Sequence, residues 1–151
     1  MTATTTFRRQ HRELQRLAAE LSRGALAPGY DADRIVVLLH RFLGTLRVHA
    51  AMENEALYPS LLAHPDPAIR ARAGALHAEL GPLYGLMDDF AARWDTAAEI
   101  DARRIRFRIE LARVLARLGW RMMREDRDLY PMADARDEPI GASGPLSRSS
   151  A

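Results

Sequence analysis

At 151 residues the chain is long enough for one domain with a hydrophobic core and too short for two. It contains no cysteine, which excludes disulfides, thiolate metal sites and a cysteine nucleophile. Its formal charge of +2 comes from arginine set against a similar number of acids, too small an excess to single out nucleic acid as a partner. Ala, Leu, Arg and Glu dominate, all good helix formers, so an all-α fold is expected. The first residues lack the apolar core of a signal peptide, and no run approaches the ~20 apolar residues of a membrane span. We therefore expect a soluble cytoplasmic protein with neither a membrane nor a nucleic acid as its partner.

Four helical segments are expected, taken in order. The first runs from about Thr5 to Arg23 and stops near Gly24, Pro28 and Gly29. Asp31 suits the N-cap of a second, which continues to about Leu57, before Pro59. A third starts near Asp66-Pro67, runs to about Trp94, and should be kinked where Gly81-Pro82 interrupts it. The fourth starts after Asp95 or Thr96 and ends near Tyr130-Pro131. Its Arg103–Arg108 run reads as a solvated helix face, because Ile105 and Phe107 alternate with the charges. Residues 1–133 form the expected domain, and the Gly-, Ser- and Pro-rich residues 134–151 read as a disordered tail.

Each segment carries an apolar stripe at helical spacing. Four amphipathic helices joined by short turns most simply make an up-down-up-down bundle. Every stripe also holds a residue that is rarely buried without a partner: His11, then His49 and Glu53, then His77, then Arg121 and Glu125.

Those residues repeat. His49-x-x-x-Glu53-x-x-x-Leu57-Tyr58-Pro59 is matched by Arg121-x-x-x-Glu125-x-x-x-Leu129-Tyr130-Pro131. His11-x-Glu13-Leu14 is likewise matched by His77-x-Glu79-Leu80, so the chain reads as two copies of one helical hairpin about a pseudo-twofold axis. A spacing of four places His49 and Glu53 on one face, where both can reach the same ion. Imidazole combined with carboxylate suits iron, zinc or manganese. His40, off its stripe, and His64, in a turn, read as surface residues.

This ordered set, with Leu-Tyr-Pro after each carboxylate, resembles the haemerythrin-like (HHE, cation-binding) domain family over about residues 5–133. The resemblance implies a bundle around two irons bridged by two glutamates. His11 and His49 would serve one iron, His77 and residue 121 the other, with Glu53 and Glu125 linking them. Residue 121 is arginine, a permanent cation with no lone pair to give a metal. Three arrangements are then open. One ion is held by His11, His49, Glu53 and Glu125 while Arg121 pairs with the glutamates. Or a metal-free network neutralises the carboxylates. Or Arg121 leans outward and two ions still bind. Family members carry or sense oxygen, handle nitric oxide or peroxide, or handle iron. The expected role is therefore iron binding, with O2 or NO as small-molecule partners, in sensing or stress handling. The rivals are a metal-free interaction module and a full di-iron oxygen-binding protein. An enzyme would need an open coordination position and a substrate path, and the sequence displays neither.

Overall fold

The computed structural model describes residues 2–135, which are helical with no strand among them. The tail expected at 134–151 lies outside the described residues from 136 on, and Asp134 belongs to the last helix. In chain order the helices are α1 Thr5–Leu26, α2 Ala32–Met52, α3 Tyr58–Leu62, α4 Pro67–Leu80, α5 Leu83–Arg93, α6 Ala97–Ala102, α7 Arg104–Arg124 and α8 Tyr130–Asp134. Five-residue π-helical turns, Glu53–Leu57 and Glu125–Leu129, join α2 to α3 and α7 to α8.

Side chains start three of these helices where sequence places the caps. Asp31 Oδ1 accepts from Arg34 N at 3.1 Å, Asp66 Oδ1 from Ala68 N at 2.8 Å, and Thr96 Oγ1 from Glu99 N at 3.2 Å. Gly81-Pro82 separates α4 from α5, as its chemistry requires. Two boundaries differ from expectation. Pro59 and Pro131 do not end their helices, because each follows a π turn in which the preceding tyrosine N–H reaches back five residues, to Glu53 O and Glu125 O. The wider turn gives the pyrrolidine ring room and asks no donor of it. The fourth segment is also broken at Arg103, with neither Gly nor Pro to signal it, and α6 buries Ile100 completely.

The core is in two parts. Leu14, Leu46, Met87, Leu118 and Met122 belong to the larger apolar cluster. Phe7, Leu57, Leu80, Leu129 and Tyr130 belong to the other. On α1, on α2 with its π turn, and on α7 with its π turn, the buried His11, His49, Glu53, Arg121 and Glu125 fall between members of one cluster and members of the other, so a buried polar layer crosses the bundle. By length and composition Ala32–Leu62 could cross a membrane. The sequence reading finds no such run because Arg34, Arg41 and Arg47 interrupt it, and the inward face of this helix carries buried His49 and Glu53.

The two ends of the described chain are clasped. Fully buried Thr4 gives its N–H to Asp134 Oδ1 at 3.2 Å and its hydroxyl to the same carboxylate at 2.7 Å, and Arg8 NH2 joins at 3.4 Å. Burial would raise the pKa of Asp134, but these donors outweigh it and hold the group below its ordinary 3.8. A carboxylate depressed by folding stabilises above its unfolded value and loses that contribution as pH falls through the folded one. Asp134→Ala should thus cost about 1–3 kcal/mol in urea unfolding at neutral pH. The cost should vanish in acid, and an equal cost at both pH values would show that the clasp is not what is lost.

Candidate metal centre

α1 contributes His11, the last turn of α2 contributes His49, and the two π turns begin on Glu53 and Glu125. All four are at most 1% exposed. One donor atom from each lies within 4.8 Å of the other three. The two imidazole Nε2 atoms are 3.1 Å apart. Glu53 Oε1 is 3.4 Å from His49 Nε2, and Glu125 Oε2 is 3.2 Å from His11 Nε2.

The outer nitrogens decide what the inner ones can do. His49 Nδ1–H donates to Gln10 Oε1 at 2.9 Å, and the Gln10 amide nitrogen is turned to Met52 Sδ. His11 Nδ1–H donates to Asp126 Oδ1 at 3.1 Å. Both partners are acceptors, so in the neutral rings both Nε2 lone pairs face inward, the tautomer a metal ligand needs. Glu125 Oε2 is buried there with no hydrogen-bond donor among the described residues. Two lone pairs and two carboxylate oxygens facing one another call for a cation, and the donor set suits iron, zinc or manganese. A proton also answers the call. Burial alone would lower the pKa of His49, but Glu125 and Glu53 raise it to about 9. Burial would raise Glu125, but His11, His49 and Arg121 bring it down to about 2.

Arg121 is 2% exposed, so the outward-leaning arrangement is ruled out. Its Nε donates to Glu125 Oε1 at 2.5 Å and its NH2 to Glu53 Oε2 at 3.3 Å. NH1 bonds the carbonyl of Leu80. That carbonyl is free because the Gly81-Pro82 break turns Tyr84 N toward Gly81 O instead. The guanidinium carbon lies 3.5 Å from the centroid of the Tyr84 ring, whose hydroxyl donates to Glu53 Oε2 at 3.0 Å. Each glutamate thus has one oxygen toward Arg121 and the other toward the histidines.

The fifth residue singled out in the sequence is elsewhere. His77 is exposed, with its ring 4.5 Å from that of Tyr58, and it is not part of the group. On α4, ahead of the Gly-Pro break, it stands outside the interior that Arg121 fills from α7. His40 is exposed and 3.4 Å from Asp95, and His64 is half-buried in a turn. Tyr130, which follows the second motif, donates to Glu53 Oε1 at 2.8 Å and lies 2.9 Å from His11 Nε2. Its repeat counterpart Tyr58 has a buried hydroxyl with no hydrogen-bond partner among the described residues. Sequence reasoning missed Gln10, Asp126 and the polar role of Tyr84. Tyr84 alone left a signal, seven residues beyond His77 and on its stripe.

The chain matches the protein family described as Hemerythrin HHE cation binding domain over residues 2–133. No curated protein and no solved structure gives a significant match.

Proposed function

The chain belongs to the hemerythrin HHE cation-binding domain family, and from that premise we propose that it holds a single metal ion at His11, His49, Glu53 and Glu125. Arg121 takes the place of a second ion. The observation that carries this reading is the division of the two carboxylates, each with one oxygen on the guanidinium and one toward the paired imidazoles. Two cations side by side in a low-dielectric layer repel strongly, so a fixed guanidinium at that distance discourages a second metal. Iron is the metal the family resemblance favours. When bound, it would supply one-electron chemistry and a coordination position for a small ligand such as O2 or NO.

The protein's own residues do the rest. Gln10 and Asp126 fix the imidazole tautomers, Tyr130 and Tyr84 hold Glu53 by its two oxygens, and the flanking apolar clusters keep water out. The bundle is read as an up-down-up-down arrangement of two hairpins, and the role as cytoplasmic iron, oxygen or nitric-oxide sensing or stress handling. Reversible oxygen carriage through two irons does not suit a site with one place taken by arginine.

The test is metal analysis of untagged protein grown with iron. One ion per chain is the expected result, and two tightly held ions would overturn the reading. A second reading, the metal-free module, is favoured by one observation. A proton on His49 balances the layer without any metal. Protein that stays free of metal after incubation with excess Fe(II), Zn(II) or Mn(II) would select it.

A further inference from the structure

α7 has two apolar faces. One carries Phe107, Leu111, Val114, Leu118 and Met122 into the core. The other, on the far side of the same helix, is the stripe Ile105, Ile109, Ala112, Ala116, Trp120 and Met123, each three or four residues from the last. Its large members remain in solvent: Ile105 is 75% exposed, Ile109 48%, Trp120 42% and Met123 43%. At ~1.5 Å per residue the stripe is about 27 Å long.

The stripe has a basic edge. Arg113 and Arg117, one turn apart, form no ion pair or hydrogen bond among the described residues. They line a groove of about 590 Å³ between α5 and α7, over Leu86, Phe90 and Val114. The sole acid of α7, Glu110, is already engaged by Arg93, Arg106 and the Trp94 indole. At the far end Arg124 lies 5.2 Å over the Trp120 ring but is paired with Glu79 and Asp128, so Arg113 and Arg117 carry the free charge of this edge.

We propose that this face of α7 docks on an anionic phospholipid surface, lying in the plane of the interface rather than spanning it. Charge selects the partner. An antiparallel pairing of α7 with a second copy would set the Arg113–Arg117 edge against the same edge of its partner, so that mode of self-association is opposed. Shape then selects lipid over an acidic protein. The isoleucines, Trp120 and Met123 protrude from the outer side of a helix, and a medium that conforms around protruding side chains suits them better than a preformed pocket. Apolar side chains immersed at headgroup level with arginines at the phosphates is the arrangement of an interfacial amphipathic helix. Docking in this manner revises the expectation, drawn from hydropathy alone, that no membrane is involved.

The experiment uses the full chain and vesicles of phosphatidylcholine with or without phosphatidylglycerol. Trp94 is buried, so a change in tryptophan emission on mixing reports Trp120. A blue shift and protection from quencher are expected with phosphatidylglycerol only, and both should weaken as salt is raised. The double substitution Arg113→Gln/Arg117→Gln, on exposed positions, should leave helicity unchanged. At the usual strength of an arginine near an anionic surface, it should weaken vesicle binding roughly 30-fold. No shift with anionic vesicles, an equal shift with phosphatidylcholine alone, or the same protection on dimerisation without lipid would each overturn the proposal. Protection by polyglutamate as strong as that by vesicles would point to a protein partner and would also overturn it.

Discussion

Arg121→Met is expected to destabilise the metal-free protein by about 3–5 kcal/mol, the cost of breaking a buried ion pair from one side. Methionine fills much of the same space, so the loss would come from Glu53 and Glu125, each left with an oxygen facing no cation. The Leu80 carbonyl would lose its donor as well. Urea unfolding of protein stripped with chelator measures it. A change below 1 kcal/mol would mean that the carboxylates find another counter-charge and that the guanidinium is not what holds the layer together. Arg121→Lys should fall between, because an ammonium is a point charge and lacks the planar fork that reaches two carboxylates and a carbonyl together. Arg121→His should raise the metal content above that of the parent. It removes the competing cation and offers an imidazole to the two oxygens. With His77 exposed, the second ion would be the weaker one. Unchanged content would show that residue 121 does not limit the number of ions.

His49→Ala is expected to reduce metal affinity by more than the ~10–100-fold typical of losing an outer-shell partner, since it removes a donor atom outright. It is the sharper of the two histidine variants because its imidazole faces both Glu53 and Glu125. His40→Ala, on an exposed residue of the same helix that faces Asp95, is the control and should change nothing. Equilibrium dialysis with Zn(II), which has no redox chemistry to complicate loading, reads both. Equal affinity in the two variants would place the ion elsewhere.

His49, Glu53 and Glu125 were legible because the two Leu-Tyr-Pro motifs mark the ends of matching helices and a spacing of four fixes a common face, and His11 through the His-x-Glu-Leu repeat. Arg121 was legible as an anomaly for the same reason. Its orientation was not, since that depends on the Leu80 carbonyl, which is free only because the chain breaks one residue later. The exposure of His77 belongs to the same break. The π turns left no mark, because a single wider turn barely disturbs an apolar period while it changes what the following proline can do. Gln10 and Asp126 adjoin residues of the site in sequence but act on the opposite side of the imidazoles, and no spacing rule points there. The Arg103 break has no account in local sequence.

The apolar clusters above and below the polar layer bear on time as well as stability. An ion cannot reach the four donors along the bundle axis without parting leucine, phenylalanine and tyrosine side chains that are almost wholly covered. Ion traffic would instead wait for a transient breach between helices, and the frequency of that breathing would set the pace of loading and loss. Once filled, such a centre would follow a slow average of its surroundings and be indifferent to brief swings in free metal. Whatever it registers quickly would have to be small and uncharged enough to slip through the same gaps unaided.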